Sequence, residues 1–369
     1  MPPKSRTSVD RVFLILLGVL VLIGFYALAS ASQPAGIQRF NDGNYFVKKQ
    51  LFFGLIPGLI IGAVVYRLGL DILKKLTWLI YFGAVGLLGL VFVPGVGLTI
   101  NGSNSWISLL GFSFQPAEFA KVAVAVVMAN LLSNPRYDWH QWQTGLVPVL
   151  AIVSPIVLLI AAQPDIGTLF IIAGEIFGML IIANLPKVQL SLLAVIGVLV
   201  LLLLVFAAPY RAKRMAVFIN PDIDPQGYGY QLKQSQLAVG SGGITGYGLW
   251  MSRQKYQYLP EASADTIFAI FAEETGFIGA LILVSLILVI VWRGLKISKG
   301  SNDYYGSLLV AGIMIWFGWQ SFMNIGATVG AMPLTGVPLP FVSHGGSALA
   351  MALAASGMVL AVSKYSKYN

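Results

Sequence analysis

Glu118 and Lys121, Asp165, Glu175, Glu261 with Asp265, Glu273-Glu274 and the run Ser343-His344-Gly345-Gly346-Ser347 are the residues whose types and spacing could do chemistry in this chain. All of them stand in or beside long apolar stretches, where charge is expensive and usually marks function. Asp265 follows Glu261 by four residues, one turn if the segment is helical, so both carboxylates would point the same way. Partial burial and the second negative charge would raise the Asp265 pKa, which suits a general base. Glu118 and Lys121 share a helix face at i,i+3; they either neutralise each other or also line a cleft. Asp165 follows Gln163-Pro164 and either caps a helix N-terminus or belongs to the site. Glu175 reads as an interior-facing structural glutamate. At about 100° per residue, Glu273 lies about 80° and Glu274 about 180° from Asp265, so the two cannot share its cleft. Gly276 and Gly279 would break that helix or let it pack closely. The glycine run Gly240 to Gly248 could cradle phosphate or simply supply positive φ.

Several chemistries are excluded. There is no cysteine, hence no disulfide, thiolate nucleophile or Cys-ligated metal. Two histidines, His140 and His344, are too few for a His-rich metal site.

The elements that must position these residues are membrane spans. Of 369 residues 57% are hydrophobic and only 10% charged, with a mean hydropathy of +0.81; a soluble chain carries roughly 25% charged residues. About ten apolar runs, each about 20 residues long, are bounded by charge, Pro or Gly: 12–32, 46–66, 76–93, 115–133, 145–162, 165–184, 189–208, 265–293, 305–331 and 345–363. The first is too long for a signal-peptide core and is expected to stay. The net charge of +9 does not indicate nucleic acid, because the basic residues sit in short clusters between the runs, as orientation signals do. Placing Lys4, Arg6 and Arg11 inside also puts Arg67, Lys74, Lys75, Arg136, Lys187, Arg293, Lys296, Lys299, Lys364 and Lys367 inside. The expectation is an all-α polytopic membrane protein, one domain over 1–369, both termini cytoplasmic, with one large extracytoplasmic loop at about 209–264. Every even-numbered span then starts on the outer side. Lys48-Lys49, Glu118-Lys121, Asp165, Asp265 and the Ser343–Ser347 run converge on one outward-facing cleft.

At these residues the sequence resembles the SEDS family (shape, elongation, division and sporulation), which includes RodA, FtsW and SpoVE. The matching stretches are Asn101 to Lys121 (NGSNSWISLLGFSFQPAEFAK), Gln163 to Thr168, Arg214 to Gly248 with NPD…DPQGYGYQ…QSQLAVGSGG, Leu259-Pro260-Glu261 with Asp265 to Ala269 and Glu273 to Gly276, Asn324-Ile325-Gly326, and Pro338 to Ser347 (PLPFVSHGGS). The resemblance implies a peptidoglycan glycosyltransferase that polymerises lipid II, a disaccharide-pentapeptide on undecaprenyl diphosphate, at the outer face of the bacterial cytoplasmic membrane, for elongation or division. The acceptor GlcNAc 4-hydroxyl would attack the donor MurNAc anomeric carbon and expel the lipid diphosphate. Asp265 matches the family's catalytic aspartate, as general base or ligand of an assisting cation. Glu118, Lys121, Asp165, Glu261, Ser343, Gly345, Gly346 and Ser347 match positions that shape the site. Lys49, Lys121, Arg211 and Arg214 are candidates to offset the diphosphate charge, with a divalent cation (Mg2+ or Mn2+) and no organic cofactor. A class B penicillin-binding protein, the cross-linking transpeptidase, is the implied partner alongside membrane lipid. Ser105, Ser263-Ala264 and His344 depart from the family's arginine, His-Thr and tyrosine, and Ser252 to Tyr256 with LPEA leans to the division branch. The competing function is a lipid II flippase or another transporter, which would show repeated halves and midplane charge.

Overall fold

The computed structural model describes residues 9–100, 103–109, 112–138, 141–206 and 209–367. Lys4, Arg6, Asn101, Gly102 and His140 lie outside the described residues.

Each expected span is a helix. They are α1 (Arg11–Phe40), α2 (Tyr45–Leu68), α3 (Leu70–Leu90), α4 (Pro116–Leu132), α5 (Trp142–Ala162), α6 (Ile166–Ile182), α7 (Lys187–Phe206), then two short helices, α8 (Pro209–Ile219) and α9 (Tyr228–Ser241), and finally α10 (Ile267–Gly300), α11 (Tyr304–Val329) and α12 (Gly346–Ser363). Eight of these are long and apolar enough to cross a membrane among the described residues. The 17-residue α4 and α6 are shorter and packed in the interior. Two helices contain a wide π turn, Leu51–Leu55 in α2 and Trp142–Leu146 in α5. Each lies just ahead of a proline, Pro57 or Pro148, whose missing N–H and ring disturb the preceding turn.

Two faces emerge from the contacts. At one, Arg293 at the end of α10 grips Asp10 at the start of α1 (2.9 and 2.8 Å), Lys74 bonds Asp303 (2.9 Å), and Lys364 donates to the Tyr66 carbonyl (3.0 Å). Both ends of the described chain are gathered there. At the other face, Gln50 bonds the Ser343 carbonyl (3.2 Å), Gln115 reaches Asp165 (3.3 Å), and Asn324 donates to the Asp265 carbonyl (2.7 Å). Each of these bonds ties together two of the segments expected at the outer ends of the spans.

Packing follows small residues. Gly54, Gly58 and Gly62 recur every fourth residue on α2 and face α12. A Cβ on Gly58 would sit 2.9 Å from the Ala350 Cα, and one on Gly357 would sit 2.4 Å from the Gly62 carbonyl oxygen. Backbones this close replace the hydrophobic drive that lipid removes. Nearly all of α4, α11 and α12 is buried, whereas α7 leaves almost every side chain outward.

Three features refine the expectations. The connection between α3 and α4 holds a three-stranded antiparallel sheet, β1 (Gly97–Ile100), β2 (Ser103–Leu109) and β3 (Phe112–Phe114), ordered β1-β2-β3. The large loop at 209–264 is partly helical, carrying α8 and α9. The eighth span is not 265–293 but runs from Ile267 to Gly300, and its helix is broken at Gly276, which adopts φ 67 and ψ −169.

Candidate active site

The break in α10 explains the glycine run. Tyr247 and Gly248 donate backbone bonds to the Glu273 and Glu274 carbonyls (3.1 and 3.0 Å), and Phe277 and Ile278 donate to Gly243 and Ile244 (2.9 and 3.2 Å). The loop thus inserts its backbone into the gap and satisfies the groups that the interrupted helix leaves unpaired. Positive φ at Gly243, Gly246 and Gly248 makes this path possible. The structural alternative for the run accounts for it, and the phosphate cradle does not.

Glu273 and Glu274 serve the same joint. Glu273 accepts from the Ser252 hydroxyl and from the Arg253 and Gln254 amides (3.0 and 3.3 Å). Glu274 pairs with Lys255 (3.0 Å) and accepts from Tyr26 (2.8 Å) and Ser30 (2.5 Å) on α1. Two adjacent glutamates, both accepting from Ser252 (its hydroxyl to Glu273, its amide to Glu274), staple residues 252–255 and α1 to α10.

Asp265 sits just ahead of α10, half-buried at the mouth of the outer loop. Its backbone is fixed: both N–H groups of the Asn324 amide are used, one on the Asp265 carbonyl (2.7 Å), the other on the Val337 carbonyl (2.8 Å). Its carboxylate oxygens each lie 3.5 Å from Gln231 Nε2 on α9. Burial, then the Glu261 charge, pushes its pKa up to about 7, with Arg214 pulling the other way. Glu261 is exposed at φ 52 in a turn, so no helix links the two carboxylates. They still interact through space, and the spacing argument reached the right pair by the wrong geometry.

Arg214 on α8 lies over the Tyr228 ring (4.5 Å) and donates to its hydroxyl (3.4 Å). A methyl group placed on Gly336 would have Asp265 Oδ2 at 3.9 Å and Arg214 Nη1 at 4.0 Å, so base and guanidinium both come within reach of one point.

The remaining candidates divide. Lys49, half-exposed on α2, stands by His344, and with burial as the larger cause its charge depresses that imidazole to about 4. The His344 amide donates to the Ser263 carbonyl (2.9 Å), tying the Ser343–Ser347 run to the segment that carries Asp265. Within the run, Gly345 donates to Gln50 (2.9 Å), the Ser343 hydroxyl accepts from the Leu339 amide (2.8 Å), and Gly346 and Ser347 pack at the start of α12, Gly346 against Phe53. This run docks α12 on α2. Asp165 accepts from the Thr168 amide (3.0 Å) and hydroxyl (2.8 Å), a helix cap that Gln115 joins to α4.

Lys121 and Glu118 are farther in. Their 2.7 Å pair is fully buried, and Lys121 also donates to Gln320 (2.9 Å), which accepts from Trp316 (2.7 Å) and donates to the Pro338 carbonyl (2.7 Å). This network braces α4 against α11 and the loop ahead of α12. Lys121 therefore does not reach a departing diphosphate. Arg211 turns away too, donating to the Leu204 carbonyl at the end of α7 (2.8 Å). Glu175 is fully buried, and neither carboxylate oxygen has a hydrogen-bond partner among the described residues.

Gln231 and Asn324, the side chains that hold Asp265, were read only as parts of longer motifs. Both are polar residues on helices, a signal too common to single them out without the fold.

The family model described as "Cell cycle protein", covering FtsW, RodA and SpoVE, matches residues 10–368. The chain belongs to this family. It is 41% identical over 366 residues to stage V sporulation protein E of Bacillus subtilis (strain 168), covering 99% of each chain. It is 37% identical over 358 residues to a probable peptidoglycan glycosyltransferase FtsW of Geobacter sp. (strain M18), covering 96% of each. Among solved structures it matches a chain reported under "Structural coordination of polymerization and crosslinking by a peptidoglycan synthase complex", with a TM-score of 0.79 and 26% identity, covering 98% of this chain and 99% of that one. The rod shape determining protein RodA of Thermus thermophilus matches with a TM-score of 0.73 at 26% identity, covering 98% and 99%. The polytopic helical architecture expected of this family member is the one observed.

Proposed function

We propose that this chain is a peptidoglycan glycosyltransferase that polymerises lipid II, with Asp265 as its general base. The observation that carries the assignment of roles is that the Asp265 carboxylate (3.9 Å) and the Arg214 guanidinium (4.0 Å) both reach one point over Gly336; burial and then Glu261 push the Asp265 pKa up to about 7. A base of that strength is half ionised near neutral pH and holds an abstracted proton well. Asp265 takes the proton of the acceptor GlcNAc 4-hydroxyl. The oxygen then bonds to the donor anomeric carbon as the bond to the lipid diphosphate breaks, and Arg214, with Lys49 nearby, offsets the charge that leaves on the diphosphate.

The basic clusters at Arg67, Lys74, Lys75, Arg293 and Lys364 orient that face to the cytoplasm of a bacterial inner membrane, which turns Asp265 outward. A divalent cation fits as a two-carboxylate site completed by substrate phosphates, a common Mg2+ arrangement. Asp265 and Glu261 would hold it, and their mutual repulsion favours it; among the described residues no cluster of three or more ligating side chains exists. When bound, it would supply additional charge at the departing diphosphate. A class B penicillin-binding protein is the partner, its single membrane helix lying on an apolar, lipid-facing surface such as that of Val291, Leu295, Ile315 and Trp319 on α10 and α11.

A transporter draws on one observation, the break of α10 at Gly276. The inserted loop and the Glu273–Glu274 staple consume that break, leaving no free ion site there. Headgroup translocation in liposomes, lost in Glu175→Gln, is what that reading requires.

The test is polymerisation of lipid II by purified protein with its transpeptidase partner, the partner having no polymerase of its own. Wild type should make glycan, and folded Asp265→Ala and Asp265→Asn should make none. Equal product from all three would remove Asp265 from the chemistry.

A further inference from the structure

The position over Gly336 is empty in a specific way. Beyond its chain neighbours, a Cβ there would meet two atoms within 4 Å, Asp265 Oδ2 at 3.9 Å and Arg214 Nη1 at 4.0 Å. A group standing on the Gly336 Cα would thus touch both the base and the cation at ordinary contact distance, and no other atom blocks that place. Gly336 holds φ +71, so its left-handed backbone turns the chain away just where a side chain would fill this place. Two sides of this place, Asp265 and the backbone beside Gly336, hang on one residue. Asn324, 2% exposed on α11, donates one N–H to the Asp265 carbonyl and the other to the Val337 carbonyl, next in chain to Gly336. An amide with both hydrogens committed to two separate strands of backbone fixes their spacing as a single bond cannot.

We infer that the space over Gly336 is the seat of the acceptor hydroxyl, and that Asn324 is the positioning residue that sets its distance from Asp265. The inference rests on Asp265 acting as base. A sugar hydroxyl in the seat lies against Asp265 Oδ2, to which its proton passes as its oxygen bonds to the donor anomeric carbon. The C–O bond to the diphosphate breaks with its electron pair going to the diphosphate oxygen, on the Arg214 side. The seat admits a hydroxyl on a ring carbon and excludes a bulkier substituent there.

The experiment is steady-state polymerisation of lipid II by the full chain with its partner, in Gly336→Ala, Gly95→Ala, Asn324→Leu and Asp265→Asn, each with a thermal unfolding curve. Gly95 is a second left-handed glycine, φ +84, with open space around it, and controls for backbone strain. Gly336→Ala is expected to lose about 100-fold or more in kcat/KM while Gly95→Ala keeps wild-type rates. Gly336→Asn, which tolerates the left-handed backbone, replaces Gly336→Ala if the alanine variant does not accumulate. Asn324→Leu keeps the volume and removes both donors; kcat is expected to fall about tenfold or more with KM within about threefold, because the base is misplaced rather than the substrate expelled. Wild-type turnover in Gly336→Ala with Asp265→Asn inactive overturns the seat alone. Activity in Asp265→Asn takes down the role of Asp265 and the seat with it. Asn324→Leu activity that falls only with the folded fraction removes the positioning role.

Discussion

Lys255 and Glu274 form an ion pair at 3.0 Å with each side chain only 1% exposed, nineteen residues apart in sequence, at the point where α10 is broken and the outer loop enters. Lys255 also donates to Ser30 (2.9 Å) and to the Trp250 carbonyl (2.7 Å), so its three N–H donors are all used. The pair is the joint between α1, α10 and the loop that leads to Asp265.

Removing one partner strands the other in a buried site. Lys255→Met and Glu274→Ala should each destabilise the protein by about 3–5 kcal/mol, the usual result of breaking a buried pair. Thermal unfolding in detergent measures this. A change below about 1 kcal/mol in both variants would mean that the joint is held by the backbone insertion at Gly243–Gly248 alone.

That joint also shows where sequence reading stopped. Apolar runs gave every span, because hydropathy over about 20 residues is a direct imprint of the bilayer. The alternation of spans gave the convergent face, and Asp265 stood out as a carboxylate at its rim. The partners of Glu273 and Glu274 were beyond reach, since Ser30, Tyr26 and Ser252 come from distant segments that only tertiary structure joins. Gly276 was legible as a break or a close contact, and it is both. The strands at 97–114 were missed because short strands leave little signal beside apolar helices; Trp106-Ile107-Ser108 and Phe112-Ser113-Phe114 carry it weakly. The glycine ridge at Gly54, Gly58 and Gly62 was readable as a helix-packing motif and was passed over in favour of charge.

Gly276 itself yields a second expectation. A Cβ there would lie 2.3 Å from the Gly246 amide nitrogen and 2.5 Å from the Ile244 carbonyl oxygen, and φ 67 is unfavourable for any side chain. Backbone cannot yield as a side-chain tip can. Gly276→Ala should therefore prevent accumulation of folded protein, or lower its unfolding temperature more than Lys255→Met does. Wild-type expression and stability would show that α10 can close its break.

For Glu118 and Lys121 the relevant measurement is a double-mutant cycle. The pair is fully buried at 2.7 Å, and Lys121 stacks over Trp316 at 4.9 Å. Single changes Glu118→Gln and Lys121→Met each leave a buried group without its partner and should cost about 3 kcal/mol or more. The double variant should recover much of that loss, giving a coupling energy above about 1 kcal/mol. Additive losses would argue that Gln320, rather than Glu118, is the partner that matters to Lys121.

The last expectation concerns pH, and its sign can be worked out from the surroundings of Asp265. Its carboxyl is raised to about 7 by burial first and by Glu261 second, while Arg214 lowers it. A base must be ionised, so kcat/KM should rise with pH through an acid limb centred near 7. Glu261→Gln removes a negative neighbour and should move that limb to lower pH. Arg214→Gln removes the opposing cation and should move it to higher pH, besides slowing the reaction. Stability runs the opposite way. Between the unfolded carboxyl value of about 3.9 and the folded value the native state binds more protons than the unfolded chain, so stability falls as pH rises across that window. Asp265→Asn should remove this slope and leave the protein more stable than wild type above neutral pH. A wild-type acid limb below pH 5 would place Asp265 in water, as would an Asp265→Asn variant no more stable at pH 8, and neither is compatible with a carboxyl poised between Glu261 and Arg214 in a half-buried cleft.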